Sequence, residues 1–458
     1  MASDPRAPDP PAATTKASTG AMLAIAAMTA AGFALTLVVF YPGYMTNDAT
    51  FIYQYTLERR YGDWQSPLMT ILWGLIDPLA PGSASIFLFV ATVYWLAFAV
   101  IALTVVRRSR WLGLAVPLLA LMPPAFVFLA MIWRDVLFAV VWLFAGAIVY
   151  AATERGARLR WLVQALALGL VGFGVLLRPN ALIAAPLIAA YVIFPARFDW
   201  KRAAIIFVPA IVAGYALVQI VYYGALDVKR ENPLHSLFVF DLGGITHFVG
   251  ENQFPVAWSA AESAMLTAEC YNPERWDSYW TLEPCRFVMQ RLERRDDVIF
   301  GSPRLMQAWA RAVTAHPLAY LSHRATFMWT LLARPTLTLE LYHLDDPGWT
   351  PLAQNRWFRT LLALHDVLKP TVLFRLGFWL MFATAISAFA WRARATPAGA
   401  FALGVTGSAV VYVMTFFLVG VAAEFRYGYW CVLASLVGTA AAVAAQRERA
   451  AAGLDWHA

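Results

Sequence analysis

Two acids and three arginines stand where long apolar runs give way to short polar turns, and their types suit transfer chemistry at a membrane surface. Asp48 comes a few residues after the first apolar run, behind Tyr41-Pro42-Gly43-Tyr44-Met45-Thr46-Asn47. Pro and Gly break that helix, and a carboxylate just beyond it can take a proton from a hydroxyl attacking an electrophilic carbon, such as the anomeric carbon of a sugar. Asn47 and Asp48 equally suit a helix N-cap. Asp135, in Trp133-Arg134-Asp135, opens another apolar run after almost no loop. It can serve a phosphate or sugar site together with Arg134, or cap the run that follows it. Arg178 in Arg178-Pro179-Asn180 and Arg426 in Glu424-Phe425-Arg426-Tyr427 are guanidiniums set between apolar runs. Both suit bidentate binding of a phosphate leaving group, and both also suit snorkelling to headgroups.

The elements that must hold these residues follow from composition. Hydrophobic residues make up 60% of the 458-residue chain and charged residues only 14%, against about 25% charged in an ordinary soluble domain. The mean hydropathy is +0.59. Long apolar runs explain this economically, and about 20 residues suffice for a span. Ten spans are predicted, at 20–41, 84–106, 111–131, 136–153, 161–177, 180–195, 203–223, 370–391, 398–418 and 428–446. The run 66–80, interrupted by Asp77-Pro78, is expected to lie at the interface, and the apolar part of 325–339 to pack on the membrane surface. The expected fold class is therefore an all-α polytopic membrane protein with a juxtamembrane first loop and one moderate external domain.

Orientation follows from basic clusters at Arg107/Arg108/Arg110, Arg155/Arg158/Arg160, Arg197/Lys201/Arg202, Arg392/Arg394 and Arg447/Arg449. Placing all five in the cytoplasm lets ten spans alternate without conflict. The expected organisation is a disordered cytoplasmic tail over 1–19, a membrane module over 20–223 with its first external loop at 42–83, an external block over 224–369, a second membrane module over 370–446 and a cytoplasmic tail over 447–458. The net charge of +7 belongs to the short loops, and no basic stripe interleaved with aromatics points to nucleic acid.

The external block holds Cys270 and Cys285, two of the three cysteines. In an oxidising compartment they are expected to form a disulfide, worth about 3 kcal/mol for a loop of that length. Six of the seven histidines lie in or beside this block, none with metalloprotease spacing. His235, ahead of Phe238-Val239-Phe240-Asp241, is the one that stands out. Cys431 reads as a small core residue.

Taken in order, Asn47-Asp48, Trp133-Arg134-Asp135, Arg178-Pro179-Asn180-Ala181-Leu182, His235 with Asp241-Leu242-Gly243-Gly244-Ile245, His316-Pro317-Leu318-Ala319-Tyr320 and Phe425-Arg426-Tyr427 resemble the GT-C superfamily of membrane glycosyltransferases, in particular its bacterial dolichyl-phosphate-mannosyltransferase-like members. The likeness runs over most of the chain. It implies a polyprenyl-phosphate sugar donor, a glycan, lipid or protein acceptor of the cell envelope, and inverting displacement on the non-cytoplasmic side of a bacterial inner membrane. Carried onto this sequence, it implies Asp48 as base and Asp135 as a second acid positioning acceptor, donor or a divalent cation. Arg178 and Arg426, with Arg134, hold the donor phosphate. Asn47, Trp64, Trp133, Asn180, His235, Asp241, Glu424 and Tyr427 are the expected substrate contacts. The segment Asp63-Trp64-Gln65-Ser66-Pro67 lacks the His of some relatives. A secondary transporter or flippase is the first competing reading, against which the uncharged spans 84–106 and 111–131 count. A polyprenyl-diphosphate-dependent O-antigen ligase or polymerase is the second.

Overall fold

A computed structural model describes residues 18–153, 155–334, 338, 339, 341 and 350–451. Most of the tail 1–19, residues 452–458 of the C-terminal tail, Glu154 and residues 335–337 lie outside the described residues.

Helix is the dominant element of the described residues, and their only extended pairings are three isolated bridges, Tyr44 with Met131, Gly62 with Lys229 and Arg275 with Ala422. The helices run α1 (Thr19–Phe40), α2 (Asn47–Glu58), α3 (Pro67–Ile76), α4 (Ser83–Val105), α5 (Arg110–Leu119), α6 (Pro123–Phe126), α7 (Arg134–Ala152), α8 (Ala157–Leu177), α9 (Ala185–Ile193) and α10 (Trp200–Val218). They continue with α11 (Leu234–Val249), α12 (Ala260–Ala268), α13 (Phe287–Leu292), α14 (Pro303–Ala315), α15 (Pro317–Ala333), α16 (Thr350–Gln354), α17 (Arg356–Leu368), α18 (Leu376–Trp391), α19 (Pro397–Val419) and α20 (Tyr429–Ala451).

Among the described residues seven helices are long and apolar enough to cross a membrane: Thr19–Phe40, Ser83–Val105, Arg134–Ala152, Ala157–Leu177, Trp200–Ala225, Pro397–Val419 and Phe425–Ala451. The 22 residues of α1 extend about 33 Å at 1.5 Å per residue, enough for a hydrocarbon core of about 30 Å. This is the fold of a membrane-embedded, all-α protein.

Three predicted spans take another form. The run 111–131 is a bent pair, Arg110–Leu119 and Pro123–Ala130, at 54°. Pro123-Pro124 removes backbone donors and turns the chain. Nearby carbonyls are taken up by tyrosines on other helices, as Tyr94 Oη donates to Ala120 O (2.6 Å) and Tyr429 Oη to Ala125 O (2.7 Å), which is how a broken helix stays satisfied in an apolar setting. The run 180–195 becomes a 3-10 turn, Pro179–Ile183, and the nine-residue α9, because Pro179 and Pro186 interrupt it. The run 370–391 shortens to the sixteen residues of α18. The expected interfacial run 66–80 is α3 with a 3-10 turn over Asp77–Leu79, and Asp77 Oδ1 accepts from Gly82 N at 2.9 Å. The apolar part of 325–339 belongs to the longer α15, which packs on α11, α18 and α19.

α7 and α20 are buried almost throughout, while α10 shows nearly its whole length to the surroundings. The two ends of the bundle differ in chemistry. At one end the basic loops meet: Arg108 Nε lies 2.8 Å from Glu448 Oε1, Arg447 Nη1 donates to Ser109 Oγ, and Phe198 N donates to Arg394 O at 2.7 Å. At the other end the loop after α1 is stitched to the turn before α7, with Tyr44 N donating to Ala130 O (2.7 Å) and Ile132 N to Tyr44 O (3.0 Å). The 270s join there to the turn between α19 and α20, Trp276 N donating to Val421 O (2.9 Å) and Ala423 N to Glu274 O (2.6 Å).

Candidate functional site

The second end of the bundle positions the acids and arginines. Thr46, not Asn47 or Asp48, is the N-cap of α2, its side chain accepting from Ala49 N and from Trp133 Nε1 (3.0 Å). Asp48 therefore stands in the first turn with its carboxylate released from capping. Its Oδ2 lies 3.0 Å from Arg426 Nη1, and its Oδ1 accepts from Gln65 Nε2 at 3.2 Å. Its side chain keeps 37% of its exposure, against 9% for Arg426. Burial works against ionisation of Asp48, but Arg426, Arg134 and the hydrogen bonds from Gln65 and Arg426 outweigh it and hold the carboxyl below the usual carboxylate range.

Arg426 is the hub. Besides Asp48 it pairs through Nε with Glu424 Oε2. Its guanidinium lies 4.6 Å from the Trp133 ring centre and 5.4 Å from that of Tyr427, within the range of cation–π attraction. Trp133 is buried and acts as a platform beneath Arg426. Arg134 is half-buried and donates through Nη1 to Trp64 O at 3.0 Å.

Asp135 and Arg178 form a second couple. α7 has no side-chain N-cap bond, so Asp135 does not cap it; Arg178 Nε and Nη2 both donate to Asp135 Oδ1, the former at 2.6 Å. Asp135 is 3% and Arg178 8% exposed. Arg178 sits 5.0 Å from the Tyr427 ring centre, so Tyr427 has both Arg178 and Arg426 within cation–π distance. Neither Asp135 nor Arg178 reaches the wall of the cleft described next, while Asp48, Arg134, Glu424, Arg426, Tyr427 and Trp64 all do. Asn180 lies beside Tyr412, under the same corner, and Asn47 is exposed on the first turn of α2.

The cleft encloses about 290 Å³. A second cavity of about 400 Å³ adjoins it, sharing Asp48, Trp64, Gln65, Trp276 and Trp280 as common wall. Asp48 thus stands where two arms meet. The first arm adds Arg134 and Arg426; the second adds Glu231, Glu293 and Tyr55. Asp277 in the first arm has its carboxyl pushed up by burial, with Arg275 and Arg426 opposing and Asp48 reinforcing. Among the described residues no three His, Cys, Asp or Glu side chains converge as a metal-binding group.

Two expected substrate contacts lie elsewhere. Asp241 is fully buried in α11, accepting from Trp309 Nε1 at 2.7 Å and pairing with His323 (3.2 Å) and Arg324, both also fully buried. It ties α11 to α14 and α15. The Gly243-Gly244 pair after it has a packing reason, since a Cβ on Gly243 would fall 2.0 Å from Tyr279 Oη and one on Gly244 2.3 Å from the His323 ring. His235 opens α11 behind the cleft wall, where its Nδ1 accepts from Gly301 N at 3.1 Å and burial pushes its pKa down. Its neighbours Leu234, Ser236 and Leu237 line the cleft instead.

Sequence reasoning missed Gln65, Glu231, Trp276, Asp277 and Trp280. Trp276 and Trp280 stack at 5.2 Å, and Trp64 meets them at 5.8 and 5.5 Å. The i, i+4 spacing of two tryptophans inside a polar stretch was the available signal. The Cys270–Cys285 disulfide brackets this segment, with Cα atoms 5.4 Å apart. Comparisons with protein-family models, with curated proteins and with solved structures give no match for the chain.

Proposed function

We propose that the chain is a membrane glycosyltransferase that moves a sugar from a polyprenyl-phosphate donor to a hydroxyl acceptor on the non-cytoplasmic side of a bacterial inner membrane. The observation that carries this reading is the partly exposed Asp48 paired to Arg426 at the junction of a guanidinium-bearing arm and an acidic, aromatic arm. In the proposed reaction the donor phosphate sits toward Arg134 and Arg426. An acceptor hydroxyl oxygen attacks the anomeric carbon, and its proton passes to Asp48. The bond from that carbon to phosphate oxygen breaks, and the electron pair leaves on polyprenyl phosphate, whose added charge the guanidiniums offset. Backside attack inverts the anomeric centre. Asp135 then acts by holding Arg178 and the Tyr427 corner.

Orientation is supported from two sides. The basic loops gather at the end opposite Asp48, as expected of a cytoplasmic face. The disulfide lies on the Asp48 side, which suits an oxidising compartment. A donor whose tail stays in the bilayer also presents its phosphate at the interface, where helix ends and cleft meet.

The test is transfer by purified protein in lipid nanodiscs. Short-chain polyprenyl-phosphate sugars, radiolabelled in the sugar, are supplied with envelope glycans and lipids as acceptors. Labelled product plus free polyprenyl phosphate is the expected outcome. The same protein reconstituted in sealed vesicles gives the contrary readout: vectorial uptake of label without bond cleavage would favour a transporter in its place.

A further inference from the structure

The second arm has no role in holding phosphate, and its lining is chemically one-sided. Among the described residues that line it, Asp48, Glu231 and Glu293 are acidic and none is Lys or Arg. Its volume of about 400 Å³ lies within the range of small-ligand pockets, about 300–1,000 Å³. Trp64, Trp276 and Trp280 form one aromatic cluster, with Trp280 still 39% exposed. Trp280 also lines a third cavity further out, beside Glu293 and Arg286, so the arm opens past its face.

Glu231 accepts from Tyr55 Oη (3.0 Å) and Trp64 N (3.2 Å). A carboxylate offers about four acceptor sites, so it holds Trp64 in place and still has capacity for hydroxyl donors. The disulfide and the bond from Ser278 Oγ to Cys270 O at 3.1 Å fix the Trp276–Trp280 turn from behind.

We infer that this arm is an acceptor subsite for a saccharide lacking phosphate, sulfate and carboxylate groups, read by the Trp280 face and by the Glu231 and Glu293 carboxylates. Flat indole faces suit the C–H faces of sugar rings, while ionised acceptors make strong hydrogen bonds with hydroxyls. With Asp48 already paired to Arg426, Glu231 and Glu293 remain in an arm lined by no Lys or Arg, and they repel an anionic ligand as it loses water. The inference rests on the glycosyl-transfer reading for its purpose, since it places an acceptor hydroxyl beside Asp48.

The experiment overlays the labelled full chain, reconstituted in nanodiscs, on an array of immobilised neutral oligosaccharides and their sulfated and uronic acid counterparts. Expected is binding to neutral members and not to their anionic counterparts. Trp280→Ala should weaken it at least tenfold and Trp280→Phe largely preserve it, while Glu293→Lys should admit anionic members. No binding to any saccharide, equal binding of both classes, or an unaltered Trp280→Ala variant overturns the inference. The array contains no lipid donor, so the two readings fail separately. Neutral-glycan binding by a chain without transfer activity removes the transferase reading and leaves the subsite. Transfer onto an anionic glycan does the reverse.

Discussion

Arg426 Nη1 lies 3.0 Å from Asp48 Oδ2, joining the first turn of α2 to the turn before α20 across 378 residues of sequence (426 − 48). The pair sets the protonation state of Asp48. Its pKa is depressed, so the carboxylate persists until pH falls through that lowered value, below the ordinary ~3.9.

The first prediction follows from that sign. The acid limb of transfer activity should lie below the usual carboxylate range in the wild type. Arg426→Ala removes a major lowering influence and leaves burial in force, so the limb should move to higher pH while activity falls. A pH–rate profile of both proteins checks this; an unmoved limb counts against the pairing.

Asp135 and Arg178 are a buried couple. Removing one partner strands a charge and is expected to cost about 3–5 kcal/mol, whereas removing both costs less. A double-mutant cycle with Asp135→Asn and Arg178→Met, read by unfolding in detergent, should therefore show strong non-additivity. Simple addition of the two effects would mean that the couple is not formed.

Asp241 carries a different expectation. Asp241→Asn leaves Arg324 without its counter-charge and removes the partner of His323 in a fully buried setting, again an expected loss of about 3–5 kcal/mol. Local protection of α11, α14 and α15 in hydrogen exchange should fall, with Asp48 chemistry affected only through that loss. A stable variant with a specific defect in acceptor affinity would return Asp241 to the substrate.

Reduction of Cys270–Cys285 is expected to lower stability by about 3 kcal/mol in the chain-entropy model and to loosen the turn that carries Trp276 and Trp280. A Cys270→Ser/Cys285→Ser variant should show a lower unfolding temperature and a changed tryptophan emission. An identical emission spectrum would show that the turn holds its shape alone.

Seven of the ten expected spans were legible as long apolar runs; the bend at Pro123-Pro124 was not, since 111–131 reads as one continuous apolar run. The breakers Pro42-Gly43 and Pro179 put Asp48, Asp135, Arg178 and Arg426 at one end. Their pairing was not legible. Asp135 meets Arg178 from 43 residues away, and nothing in local spacing distinguishes a buried couple from two residues that face a ligand. Asp241 read as a site residue for the same reason, since a buried charge cluster and a binding site draw on the same side chains. The second arm escaped because 224–369 has no dominant period, and its walls come from separate turns at Trp64, Glu231, Trp280 and Glu293. The short α9 shows the limit of hydropathy alone: 180–195 is apolar enough, but Pro179 and Pro186 leave only nine α-helical residues.

The most direct measurement is the single-turnover rate of sugar transfer from a polyprenyl-phosphate donor by Asp48→Asn, alongside equilibrium binding of the same donor. The account expects a rate loss of about 10²–10⁴-fold with donor binding and unfolding temperature near those of the wild type. An Asp48→Asn protein that transfers sugar at the wild-type rate would contradict it.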